Sequence, residues 1–346
     1  MSNLSLVAIQ TILIDHYKSF KSKELTGYVP AFTRKGNPIL RKGAQCGVAK
    51  IHNSNNEFKA LRLWLNENSD SLNIYNYISI YVKRNPAKYL LHTVYLQNAI
   101  KFNDEFHHAL LMDWCGGVTM KDYLIQIKEH GIKLQSLLKN IEEMFRDMNQ
   151  RRISHGDIHH NNIMVSSGGT PVLIDYDSMF TPNMPINIKE TCLGYSGYQH
   201  PIARQNNKYL NSKVDYFSQL IIIMTIECLI EDSTLWERYF NDDEVVCLIF
   251  KAKDFENLEE SGIYRDLISI KRPKTSIQNH LEILKDYLKK KKIDDLYPYY
   301  QGNNQNRHSR KLVFNFCMNC GKKIYNSGDV FCINCGFRLK GILKQG

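Results

Sequence analysis

The chain reads as an α+β protein of two unequal lobes, with a small metal-held module near its C-terminal end. Three observations carry that reading. Residues 31–112 alternate short apolar runs with Asn- and Gly-containing turns, the pattern of strands. Residues 119–152 and 212–290 carry apolar positions at helical spacing. Four of the nine cysteines fall in two short pairs near the end.

In chain order, residues 1–30 are expected to be a helical lead-in. They have no basic start followed by an apolar run and a small-residue cleavage site, so no signal peptide is expected. Residues 31–114 are expected to be the strand-rich part and 115–290 the helix-rich part, which the family resemblance drawn below makes a small and a large lobe. The longest apolar run, Leu220 to Ile230, is broken by Thr225 and Glu227 and is too short to span a bilayer. It predicts a buried core helix. With 346 residues, 43% hydrophobic and 23% charged, the composition is that of a soluble globular chain of roughly two domains, expected in the cytoplasm with no membrane partner.

The net charge of +10 is uneven. From Lys289 onward there are twelve Lys and Arg against three Asp. Residues 291–311 read as a polar linker. Such a basic tail suits contact with nucleic acid or an acidic protein, or serves solubility alone. For nucleic acid, Lys289–Lys292, Arg307, Arg310 and Lys311 would neutralise phosphates, with thin aromatic interleaving from Tyr297, Tyr299, Tyr300, Phe314 and Phe316. The ribbon predicted over 312–340 carries Cys317, Cys320, Cys332 and Cys335 as C-x2-C pairs eleven residues apart. Two such pairs complete a tetrahedral thiolate site for one Zn2+. The other five cysteines, at 46, 115, 192, 228 and 247, show no pairing pattern and are expected to be buried thiols.

Chemistry concentrates in ISHGDIHHNNIMV, residues 153–165. Ile163–Val165 and Pro171–Ile174 flank Ser-Ser-Gly-Gly-Thr, a hairpin signal. Asp157 and Asn162 precede one strand, and Asp175 of PVLIDYD ends the other. The three polar groups can therefore converge at one end of a small sheet. One Asp to orient a hydroxyl, with an Asn and a second Asp on Mg2+, is the arrangement of phosphoryl transfer.

These residues resemble the protein-kinase superfamily. His155-Gly156-Asp157 with Asn162 is similar to the H-R-D-x-x-x-x-N catalytic loop, and Asp175-Tyr176-Asp177 to D-F-G. LLMDWCGG, 110–117, looks like the strand entering the hinge. Met112 would be the gatekeeper, and Asp113 and Cys115 would offer backbone groups to adenine. Asp215 resembles the buried Asp that braces the catalytic loop, and GYSGYQHP, 194–201, resembles the end of an activation segment. The resemblance spans about residues 31–290 and is nearest to bacterial eukaryotic-like kinases, some of which carry zinc ribbons. It implies a bilobal protein-kinase-like fold, with Asn162 and Asp175 holding Mg2+ and Asp157 orienting the hydroxyl.

Several positions depart from the family. KGAQCGVAKI keeps only Gly43 and Gly47, then Val48, where the glycine loop meets phosphates. His159 stands where protein Ser/Thr kinases have Lys, a feature shared with small-molecule phosphotransferases. Asp177 replaces the Gly of D-F-G. No Glu lies in 71–84, the helix that should supply the partner of the catalytic Lys; Asn73, Glu67 or Asp70 is left to fill that place. The catalytic basic residue itself is ambiguous. V-A-I-K has Ala two residues before its Lys, so that both face one side of a strand. Lys50 has Val48 there, whereas Arg62 has Ala60. Gly43–Ile51 and Phe58–Leu65 are expected to form a hairpin around the HNSNN turn, with Ala60 beside adenine and Arg62 at the phosphates.

Two functions follow. One is an ATP- and Mg2+-dependent protein Ser/Thr kinase whose zinc ribbon recruits a protein or nucleic-acid partner or regulates the enzyme. The other is a pseudokinase or nucleotide-binding scaffold. A small-molecule phosphotransferase is a further alternative, opposed by the short stretch between hinge and His155.

Overall fold

The computed structural model describes residues 3–304, apart from 44, 68, 186, 191 and 245. The predicted ribbon, its four cysteines, and Arg307, Arg310 and Lys311 lie outside the described residues. Residues 1–299 form one compact unit, and the chain divides before Tyr300.

The small lobe is a curled antiparallel sheet: β1 (Val29–Pro30), β2 (Leu40–Lys42), β3 (Cys46–His52), β4 (Phe58–Trp64), β5 (Thr93–Phe102) and β6 (Glu105–Asp113). The order is β1-β3-β4-β6-β5, with β2 also pairing β3. The predicted first hairpin is present, with Val48 opposite Arg62 and Lys50 opposite Ala60. Asn53 makes its turn: the side-chain oxygen accepts from the Asn55 and Glu57 amides, both at 3.0 Å.

Alternation gives the sheet two faces. Ala49, Ile51, Leu61, Leu63 and Leu111 pack with Ile9, Ile12 and Leu13 of α1 (Leu6–Ile14). The helical lead-in thus covers the outer face. The other face, with Val48, Ala60 and Arg62, looks toward the large lobe. Helix α2 (His16–Ser19) follows α1, and α3 (Ser69–Arg84) packs against β5.

The large lobe opens with β7 (Val118–Thr119), α4 (Met120–Ile127) and α5 (Gly131–Arg151). Leu134, Leu137, Ile141, Met144, Phe145 and Met148 form the buried stripe of α5 at helical spacing. Arg152 ends it in a left-handed conformation, φ 57°, its N–H turned back to the Asn149 and Met148 carbonyls. The predicted second hairpin is β8 (Ile163–Val165) and β9 (Pro171–Leu173), with β7 as a third strand. Helix α6 (Tyr216–Glu231) is buried all round from Tyr216 to Ile230, as its unbroken apolar text requires. The lobe closes with α7 (Thr234–Tyr239), α8 (Gly262–Ile268) and α9 (Ile277–Leu288). Among the described residues no helix is long and apolar enough to cross a membrane.

Two expectations need correction. Residues 291–299, read as the start of a linker, are packed: Ile293, Leu296 and Tyr299 are buried, and the Tyr297 hydroxyl donates to Asp286 at 2.9 Å. An apolar residue at every third position here was masked by the surrounding charge. The five remaining cysteines are free, but only Cys46, Cys228 and Cys247 are buried; Cys115 is half-buried and Cys192 exposed.

Candidate active site

The small lobe contributes Arg62. Its side chain is 4% exposed and its guanidinium is heavily engaged. Nη1 donates to the Tyr75 hydroxyl of α3 at 2.6 Å and to Asp175 at 3.0 Å; Nη2 donates to both Asp177 oxygens at 2.7 and 2.6 Å. Val48, Ala60 and Met112 share its face, since Val48 lies opposite Arg62 and Ala60 opposite both Lys50 and Met112. Lys50 shares this face but lies beside the hinge end of it. Its ammonium sits 3.9 Å from the Phe58 ring centre and 4.7 Å from that of Trp114.

The residues expected at the phosphates and adenine have other tasks as well. A Cβ on Gly47 would meet Ile9 Cδ1 at 2.9 Å and Leu40 Cδ1 at 3.1 Å, so a larger residue would have to displace these side-chain ends. Gly43 closes the turn into β3, its N–H donating to the Cys46 carbonyl at 2.8 Å. The Asp113 amide donates to the His92 carbonyl at 3.0 Å, and its carboxylate pairs with Lys59 at 2.5 Å. The Asp113 amide and one of its carboxylate oxygens are therefore already engaged. Cys115 follows at the half-buried hinge.

The loop from His155 to Asn162 is braced from below. Asp215, at the start of α6, accepts from the His155 amide at 2.5 Å and the Gly156 amide at 2.9 Å. Its carboxylate is completely enclosed, which pushes its pKa up, while the two amides and His155 oppose that shift. Gly156 has φ +80°, and a Cβ there would lie 2.2 Å from the Ser178 carbonyl oxygen; no other residue fits. The His155 ring donates from Nε2 to the Ile174 carbonyl at 2.8 Å, joining this loop to the Asp175 turn.

Asn162 closes the loop. Its side-chain nitrogen donates to the Asp157 carbonyl at 3.0 Å, which leaves its amide oxygen as a coordinating atom. Its backbone carbonyl accepts from Ile174 N–H at 3.0 Å. Asp157 Oδ1 is buried without a hydrogen-bond partner. Burial pushes this carboxyl up, but the hydrogen bond and charge of His159, with His155 and Arg204, outweigh it and hold it below the usual aspartate value. His159 Nε2 lies 3.6 Å from Asp157 and its ring stacks on Tyr195 at 4.3 Å. His160 accepts from the Tyr198 hydroxyl at 2.7 Å. Both histidines thus pack and hydrogen-bond within the loop, and among the described residues no cluster of three or more metal-ligating side chains exists.

Asp175 lines the cleft with φ 63°, and 51% of its side chain is open to solvent. Partial desolvation by the cleft walls and the Asp177 charge push its carboxyl up, whereas Arg62 overcomes burial and pulls Asp177 down. One open carboxylate and one amide oxygen form an all-oxygen donor pair. That suits Mg2+, which keeps water and phosphate oxygens in its remaining positions.

Two of the three expected candidates do not fill the α3 position. Asn73 is exposed. Glu67 accepts from the His108 amide at 2.8 Å, away from Arg62. The Asp70 side chain lies outside the described residues. The acid on Arg62 is Asp177. A second group also escaped the sequence reading. Arg204 donates to the Gly156 carbonyl at 2.6 Å and pairs with Glu190 at 2.5 Å, both side chains being buried. A usable signal was present, since Glu190 is the one acid between Asp177 and Asp215.

A family model, the ABC1 atypical kinase-like domain, matches residues 105–187. That stretch runs from β6 through the Asp175 turn and holds Asp157 and Asn162. It is under a quarter of the chain. No curated protein matches. The chain thus contains a kinase-like region in a mixed α/β fold, and such a region implies the use of ATP and Mg2+.

Proposed function

We propose that the chain is a protein kinase that transfers the γ-phosphate of ATP to Ser or Thr hydroxyls. The observation that carries this reading is the convergence of Asp157, Asn162, Asp175 and Arg62 on one cleft. Asp157, held ionised with one unpartnered oxygen, accepts a hydrogen bond from the acceptor hydroxyl and orients it for in-line attack. Asn162 and Asp175 would hold Mg2+. Bound there, the ion would neutralise charge developing on the phosphate oxygens. Arg62 supplies a fixed positive charge at the phosphate end, and Val48, Ala60 and Met112 supply apolar surface for the base. His159 and Tyr195 line the acceptor side.

A protein substrate is favoured over a small molecule because only β7, α4 and α5 separate the hinge from His155. There is no helical insertion to enclose a small acceptor. The test is incubation with labelled ATP and Mg2+ in the presence of protein acceptors or of aminoglycosides and choline. Label recovered as phosphoserine or phosphothreonine supports the reading; label on the small acceptors alone rejects it.

One contact favours the scaffold reading, the 3.0 Å bond between Arg62 and Asp175 that ties up the expected Mg2+ ligand. A scaffold would bind nucleotide equally well without Mg2+. The ribbon at Cys317, Cys320, Cys332 and Cys335 would hold one Zn2+ and serve recruitment of a protein partner. A steep loss of partner binding with salt would instead mark nucleic acid.

A further inference from the structure

The sequence departs from the kinase pattern at three places: Arg for the catalytic Lys at 62, no Glu on α3, and Asp for Gly at 177. One bonded group accounts for all three. We propose that Asp177 is the positioning residue for Arg62, doing from the turn after β9 what an acid on α3 otherwise does. The proposal rests on the kinase reading of the cleft.

The contacts divide between the two terminal nitrogens of Arg62. Nη2 meets both Asp177 oxygens, at 2.7 and 2.6 Å, while Nη1 bonds Tyr75 and Asp175. The planar guanidinium holds these groups on separate nitrogens at fixed directions, which the single nitrogen of an ammonium cannot. Tyr75 fixes the third side. Its hydroxyl donates to Asp177 at 2.7 Å and accepts from Arg62 Nη1 at 2.6 Å. Helix α3 therefore still reaches the clamp, through a phenol in place of a carboxylate. Burial keeps that phenol protonated, so it remains a donor to Asp177.

The two aspartates have different roles here. Asp177 is bound at two points by Arg62 and at a third by Tyr75. Asp175 has a single 3.0 Å contact to Arg62 and an open side chain. Asp175 can leave for a cation while Arg62 stays held by Tyr75 and Asp177. The clamp thus separates positioning from metal binding within three consecutive residues.

The competing role for Asp177 is that of a second Mg2+ ligand, and one cycle separates the two. Wild type, Asp177→Asn, Arg62→Ala and the double variant are titrated with a non-hydrolysable ATP analogue at several Mg2+ concentrations, with thermal unfolding recorded alongside. We expect Asp177→Asn and Arg62→Ala each to weaken nucleotide binding at least tenfold. The double variant should be no weaker than Arg62→Ala, and the Mg2+ requirement of Asp177→Asn should match wild type. Losses that multiply, or a loss restored by raising Mg2+, overturn the proposal and leave the kinase reading standing. Wild type that binds no nucleotide sinks the kinase reading, and the proposal with it. If Asp177→Asn does not fold, Tyr75→Phe replaces it; its loss should vanish in the Arg62→Ala background, and persistence there overturns the clamp.

Discussion

Lys50 and Arg62 lie on the same face of adjacent strands, and what separates them is what each touches. Lys50 rests on two exposed-edge rings near the hinge, whereas Arg62 is buried among two carboxylates and a phenol. Arg62→Ala should therefore weaken nucleotide binding or phosphoryl transfer at least tenfold, equivalent to ~1.4 kcal/mol. Lys50→Ala should cost much less. Steady-state kinetics with ATP as the varied substrate reads both, and a silent Arg62→Ala with an inactive Lys50→Ala would move the strand assignment. His160 gives a second prediction. Burial pushes its pKa from 6.5 down to about 3, and its Nδ1 must stay unprotonated to accept from Tyr198. The unfolded chain takes up that proton near 6.5, so the contact's stability is complete above about pH 6.5 and declines as pH falls toward 3. Wild-type Tm should drop between pH 7 and 5, and His160→Asn, which cannot titrate, should show a shallower drop. Parallel curves would remove His160 from the acid response.

Among the elements, the catalytic loop is held from two directions: Asp215 of the α6 start bonds its amides, and Arg204 bonds its Gly156 carbonyl. Glu190 offsets the buried Arg204 charge. Glu190→Gln leaves that charge uncompensated and should destabilise the protein by about 3–5 kcal/mol, read by urea unfolding. A loss near zero would mean water or another group takes over. The hairpins, the buried α6 and the Asp215 brace were all legible in sequence, because each rests on local pattern or on one recognisable motif. Arg62 was legible through the two-residue spacing of strand side chains. Its partner was not. The family pattern points to α3 for the acid, but Asp177 is 115 residues from Arg62 and in sequence stands only as a replacement for the Gly of D-F-G. Gly47 has a neighbour that no local pattern encodes: the space beside its Cα is taken by Ile9 of α1 and Leu40 of β2.

At the scale of the whole molecule, a buried core joins α1 to the outer face of the small-lobe sheet, while Arg62 on the opposite face meets Asp175 and Asp177. The zinc-ribbon proposal is separable from this body. Metal analysis of reduced, chelator-free protein should find one Zn2+ per chain, and chelation should alter residues 312–340 without lowering the unfolding temperature of the body over 3–299; absence of zinc would reject the four-cysteine site. The central claim is that Asp157, Asn162, Asp175 and Arg62 form a working phosphoryl-transfer site. The measurement that bears on it most directly is transfer of label from ATP in the presence of Mg2+ by wild type and by Asp157→Ala. The account predicts labelled product from wild type and none above background from the variant. Equal transfer by both proteins, or none by either, would contradict it.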